Sequence, residues 1–118
     1  MRVEKLDGVT ILITDKRLDT ADGSTLRDLV KDLAEEEGLK LVIDMEKTDF
    51  IDSWGCAGLL LSLKNVAKNH GNLIIARPSQ QVLSVIYMTR LHRVFEIRDS
   101  LEEAIASFLP AEDILIQD

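Results

Sequence analysis

The chain predicts an α/β domain built on a mostly parallel sheet, and three observations point there. Strand-like and helix-like segments alternate along its length, the pattern of parallel strands joined by crossover helices. Two short apolar runs, Leu39-Lys40-Leu41-Val42-Ile43 and Leu73-Ile74-Ile75-Ala76, have the near-continuous hydrophobicity of covered central strands. Asp7-Gly8 lies between two strand-like segments and suits a hairpin turn, which would make the sheet mixed.

Each element has its own signal. Val3 and Leu6, then Val9, Ile11 and Ile13, give the two strands of the hairpin, although Leu12 makes the alternation partial. Residues 15–24 form a polar connection with several candidate N-caps. Leu26, Leu29, Val30 and Leu33 then recur at helical spacing, and Gly38 is expected to stop that first helix. The strand over Leu39–Ile43 leads to a second helix from about Trp54 to Asn69, closed by His70-Gly71-Asn72. After the strand Leu73–Ala76 and Arg77-Pro78, Ser79 caps a third helix with Val82, Leu83 and Ile86 inward. Val94-Phe95-Glu96-Ile97 is a short strand. Ser100-Leu101-Glu102-Glu103 fits a capping box that opens a fourth helix through Phe108, with Pro110 ending it.

A chain of 118 residues has room for one core, expected over residues 1–110, with residues 111–118 a tail. The composition, 46% hydrophobic and 30% charged, is that of a soluble globular domain, and with 4% aromatics the core must be aliphatic. No apolar run approaches a membrane span, and Met1-Arg2-Val3-Glu4-Lys5 lacks a signal-peptide core, so no membrane insertion is expected. One cysteine excludes an internal disulfide, and the expected compartment is the cytoplasm. A net charge of −7 with scattered basic residues argues against direct nucleic-acid binding. It suits a partner with a basic face.

The segment Asp49-Phe50-Ile51-Asp52-Ser53-Trp54-Gly55 puts an acid-serine pair at the mouth of the second helix. Unpaired N–H groups and the positive dipole end make a helix N-terminus tolerant of added negative charge. Ser53 is therefore a candidate phosphate acceptor, and the plainer alternative is that Ser53 or Asp52 only caps the helix. On a helical wheel Cys56, Leu59, Leu60, Leu63, Val66 and Ala67 form one apolar face. Ser62, Lys64, Asn65, Lys68 and Asn69 form the opposite one. Trp54, Ala57, Gly58 and Leu61 fall on that polar side, an apolar stripe of the kind that marks a partner site.

Phe50-Ile51-Asp52-Ser53-Trp54-Gly55-Cys56-Ala57-Gly58-Leu59 resembles the signature of the STAS domain, shared by anti-sigma-factor antagonists and sulfate transporters. Arg17-Leu18-Asp19, Met88-Thr89-Arg90-Leu91 and Val94-Phe95 extend the resemblance over most of the chain. It implies a small mixed sheet with about four helices packed mainly on one side. It implies that Ser53 is phosphorylated and that the loop near Asp19 and Thr20, with Asp52, Ser53, Trp54, Gly58 and Leu61, meets an anti-sigma factor that is also a serine protein kinase. A phosphatase acting on phospho-Ser53 would oppose it. Phosphate would add about −1.5 to −2 charges inside the interface and release the partner.

Three positions depart from the antagonist pattern. Trp54 replaces a small hydroxyl residue beside the acceptor. Asp15-Lys16 stand where glycine usually precedes the acid-Leu-Asp run. Arg90 stands where glycine is usual, so that helix terminus is expected to close differently.

No catalytic constellation accompanies these residues. Cys56 lies on the apolar face, His70 and His92 lack metal-ligand neighbours, and Asp49 with Asp52 has no base or nucleophile to serve. Neither an enzyme, a metal nor a cofactor is expected. The alternative from the same family is a constitutive adaptor subunit of a lipid-transport or stress-signalling assembly, with Trp54 and Leu61 as permanent anchors and Ser53 only a cap. Binding of a nucleotide or lipid, and docking of Ile114-Leu115-Ile116 on another subunit, stay open.

Overall fold

The computed structural model describes residues 1–109. β1 (Arg2–Leu6) and β2 (Val9–Ile13) form the expected antiparallel hairpin. Asp7 (φ 53°) and Gly8 (φ 78°) are both left-handed, as a type I′ turn requires. The chain then forms β3 (Arg17–Leu18), α1 (Thr20–Leu33), β4 (Lys40–Asp44), β5 (Phe50–Ile51), α2 (Ser53–Lys68) and β6 (Asn72–Ala76). It continues through α3 (Gln80–Met88), a 3₁₀ turn (Leu91–Arg93), β7 (Glu96–Arg98) and α4 (Leu101–Ala106). The main sheet runs β1-β2-β4-β6-β7 and is parallel except at β1.

Alternating side chains divide between the faces of this sheet. Leu12, Leu41, Ile43, Leu73 and Ile75 pack with Leu26 and Val30 of α1, Leu59 and Val66 of α2, and Val82 and Ile86 of α3. The other face, Val9, Ile11, Val42 and Ile74, is covered by Ala104 and Ile105 of α4. Three helices therefore lie on one face and one on the other, so the helices do pack mainly on one side.

The carboxyl ends of the strands are tied by a buried polar network. Arg77 grips Asp44 with two hydrogen bonds, Nε to Oδ1 at 2.9 Å and Nη2 to Oδ2 at 2.8 Å. Its Nη1 lies 2.8 Å from Glu46. The Thr48 hydroxyl donates to Asp15 O at 2.5 Å and accepts from Thr14 at 2.5 Å, while Ser79 Oγ donates to Thr48 O at 2.7 Å. Burial works against ionising Asp44, but the hydrogen bonds from Arg77 and the Glu46 amide, with the charges of Arg77 and Lys47, outweigh it. The Asp44 carboxyl is held below its ordinary value.

Several boundaries differ from expectation. α1 begins at Thr20, ahead of the first periodic leucine, and ends at Leu33; Gly38 (φ 70°) sits beyond the helix in the turn to β4. Val94 and Phe95 precede β7, their amides donating to Leu91 O at 2.9 and 3.0 Å. α4 ends at Ala106 rather than at Phe108. Ser79 and Ser100 cap α3 and α4 as expected, accepting from Val82 N and Glu103 N. At the close of α3, where the sequence has arginine, Arg90 adopts the left-handed conformation, with φ 61°. On α2, Ser62 is fully buried and donates to Gly58 O at 2.7 Å, whereas Ala67 is exposed. The buried arc of α2 is turned toward α1, which crosses it at Gly58. Pro110 and the tail lie outside the described residues.

Candidate functional site

Two strand-acid-helix units lie side by side. β3 and β5 pair in parallel, Arg17 with Phe50 and Leu18 with Ile51, and the Asp52 amide reaches Leu18 O at 3.4 Å. Continuing this register sets Asp19 level with Asp52, and Thr20, the first residue of α1, level with Ser53, the first residue of α2. Two helix N-termini thus open beside each other, and their unpaired N–H groups and dipoles favour an anion between them.

The capping question has a definite answer. Asp52 is the N-cap of α2, its Oδ1 accepting from Gly55 N at 2.9 Å. Ser53 is exposed, and its hydroxyl takes part in no hydrogen bond among the described residues. Asp19 is the N-cap residue of α1 by backbone geometry, but its carboxylate lies toward Arg17 Nε at 3.4 Å instead of bonding the helix. The Arg17 guanidinium in turn lies 4.1 Å above the Phe50 ring.

Beside Ser53, α1 and α2 form a shallow groove. Thr20, Gly23, Ser24 and Arg27 line it from α1, and Trp54, Ala57, Gly58 and Leu61 from α2. Trp54 is 64% exposed and Leu61 is exposed as well, while Gly58 is buried at the helix crossing. The helices approach so closely there that a methyl group on Gly58 would come within 2.6 Å of Gly23 O, and one on Gly23 within 2.7 Å of Trp54 O. Gly55 is likewise pressed against Leu18 O. Gly58 therefore works through packing, beneath the stripe that Trp54 and Leu61 display.

The residues expected from the sequence thus come together in two parts. Asp19, Thr20, Asp52 and Ser53 surround the paired helix starts; Trp54, Gly58 and Leu61 belong to the groove. The sequence reading missed Gly23, Ser24 and Arg27, although Thr20, Gly23, Ser24 and Arg27 share one helix face by their spacing. It also missed the Arg17–Phe50 stack, which depends on the pairing of two-residue strands.

Cys56 is buried; burial, and then the charge of Asp52, push its thiol above the ordinary value, so it makes a poor nucleophile. His70 is exposed with Nδ1 3.3 Å from Glu37, and the His92 ring lies on Tyr87 with centroids 4.5 Å apart. Among the described residues no group of His, Cys, Asp and Glu is arranged to hold a metal ion, and no helix is long and apolar enough to cross a membrane.

Comparison with known proteins gives a family model described as STAS domain, matched by residues 1–104. A Thermotoga maritima protein named as a candidate anti-sigma factor antagonist is 26% identical over 101 residues, which cover 85% of this chain and 89% of that protein. The structure of an anti-sigma-factor antagonist (STAS) domain protein from Planctomyces limnophilus superposes with a TM-score of 0.81 at 19% identity, over 90% of this chain and 95% of that one. The anti-sigma factor antagonist SpoIIAA, in its unphosphorylated form, superposes with a TM-score of 0.75 at 20% identity, over 88% of this chain and 91% of that one.

Proposed function

Because the chain belongs to the STAS domain family, we propose that it is a cytoplasmic anti-sigma-factor antagonist whose Ser53 is a phosphorylation site. The observation that carries this reading is the division of labour at α2: Asp52 caps the helix, and the exposed Ser53 hydroxyl at its first turn bonds to nothing among the described residues. The naming of a relative as an antagonist supports it. The partner, an anti-sigma factor that is also a serine kinase, covers Trp54, Leu61 and the Asp19–Thr20 corner. A phosphatase later removes the phosphate.

The two states differ by charge. Unmodified Ser53 adds none to a surface already holding Asp19 and Asp52. Phosphate adds about −1.5 to −2 charges between two carboxylates, in a contact the partner must dehydrate. A buried charge without a counter-charge costs several kcal/mol, enough to release the partner. In the free protein the paired helix N-termini stabilise the same phosphate. Ser53 is then a substrate, and the catalysts are the kinase and the phosphatase.

The test is the intact mass of the protein from its native cells beside a Ser53→Ala variant. One phosphate that disappears in the variant is expected; none under any growth condition would sink the switch. The second reading, a constitutive adaptor, draws on Trp54, an exposed anchor where a small hydroxyl residue is usual. A Trp54→Ala change is expected to leave stability within about 0.5 kcal/mol, as at other exposed positions, and to weaken partner binding at least about tenfold. Under the adaptor reading a Ser53→Asp variant keeps its partner; under the switch it loses it.

A further inference from the structure

The carboxylates of this chain are unevenly spread. None of its acidic residues falls between Ser53 and Phe95, a stretch that carries Lys64, Lys68, Arg77, Arg90 and Arg93. Residues 87–94 fold there into one knot. Arg90 N donates to Tyr87 O at 3.1 Å, Arg93 N to Arg90 O at 3.1 Å, and Val94 N to Leu91 O at 2.9 Å. The knot displays Tyr87, Met88 and Val94, which are 55%, 84% and 52% exposed.

Its arginines differ from the others. Arg2, Arg17, Arg27, Arg77 and Arg98 each lie against a carboxylate. Arg90 and Arg93 lie against none among the described residues. Arg90 also holds the left-handed conformation that glycine adopts at no cost. Two unpaired guanidiniums among three exposed apolar side chains suit a segment with carboxylates around an aliphatic centre.

Such a segment exists in the chain. Glu112, Asp113 and Asp118 flank Ile114-Leu115-Ile116. It follows α4, and Leu109 lies beside Leu6 and Asp7 at the β1 edge of the sheet. The knot precedes β7, at the opposite edge and on the side of the sheet away from α4. Leu109, the last described residue, and the knot therefore lie at opposite edges of the sheet, and a neighbour's knot is reached without the segment having to cross its own sheet. An anionic bilayer is the weaker match, since two guanidiniums on a chain of net charge −7 draw it poorly.

We propose that Tyr87, Met88, Arg90, Arg93 and Val94 form a docking surface for residues 112–118 of a second copy of this chain. The contact is head-to-tail, one edge of the sheet giving and the other receiving, so it builds rings or short chains of subunits. Helices in parallel crossovers run back against their strands. The knot at the end of α3 therefore lies at the opposite end of the sheet from Ser53, and docking is independent of the phosphorylation reading.

The experiment adds a synthetic peptide of residues 111–118 to the ¹⁵N-labelled full chain at low salt and follows its amide resonances. Saturable shifts at residues 87–94 are expected. The full chain should gain average mass with concentration, and an Arg90→Gly/Arg93→Gln variant should bind the peptide at least about tenfold more weakly. Arg90→Gly relaxes the backbone, so loss of folding does not imitate loss of binding. A Leu115→Asp variant should stay monomeric, and Ser53→Asp should change nothing. No shifts, shifts at Trp54 instead, or a monomer whose knot responds to Leu115→Asp at every concentration would overturn the proposal, the last by showing that the segment docks on its own chain.

Discussion

Asp52 and Ser53 are neighbours with opposite duties, one turned inward to the helix backbone and one outward. Asp52→Ala should cost about 1 kcal/mol in urea unfolding, whereas Asp52→Asn, which keeps an acceptor, should cost less. Ser53→Ala should cost little, because its hydroxyl supports nothing among the described residues. Arg90→Gly should stabilise by about 0.5–1 kcal/mol by removing left-handed strain. The acid-serine pair was legible in the sequence because helix-start chemistry is local. Which of the two caps was not, since it depends on the turn by which Asp52 enters α2 after β5. The left-handed backbone at Arg90 was not legible either, since nothing local in the sequence announces a residue other than glycine taking that strain.

At the level of elements, α1 and α2 meet backbone to backbone at Gly23 and Gly58. Gly58→Ala would bring a methyl group to 2.6 Å from Gly23 O, a backbone atom that cannot step aside. The expected loss is about 2–3 kcal/mol, read as a lower urea midpoint, with α1 displaced from α2. A wheel drawn for α2 alone could not show this contact, and it therefore put Ser62 in solvent and Gly58 on the open stripe. The long elements were legible because β2, β4, β6 and the helices carry periodicity over several residues. β3 and β5 were not, because two-residue strands have no period. Yet their pairing carries Asp19 to Asp52, so periodicity alone hid how the candidate site is assembled, and only the family resemblance put those residues on one surface.

Across the whole molecule, the ends of β2, β4 and β6 are held by Asp44, Arg77, Thr14, Thr48 and Ser79. Removing one partner of a fully buried ion pair costs about 3–5 kcal/mol. Arg77 is 36% exposed, so Arg77→Ala should cost less, about 2 kcal/mol. The Asp44 carboxyl titrates below its ordinary 3.8 in the folded chain. Its stabilisation is therefore complete above the unfolded value and is lost as pH falls through the folded one. The urea midpoint should hold steady down to about pH 5 and decline below about pH 4. Asp44→Asn should start lower and decline less steeply. Equal acid slopes in the two proteins would show that other carboxylates govern the transition.

The glycine crossing also bears on timing. A helix pair packed backbone to backbone resists sliding, so a group added at Ser53 is expected to change the potential at the surface and leave the crossing as it was. A signal passed that way needs no rearrangement to complete. It would travel as fast as the modifying enzymes turn over, and it would be erased as fast as the added group is removed.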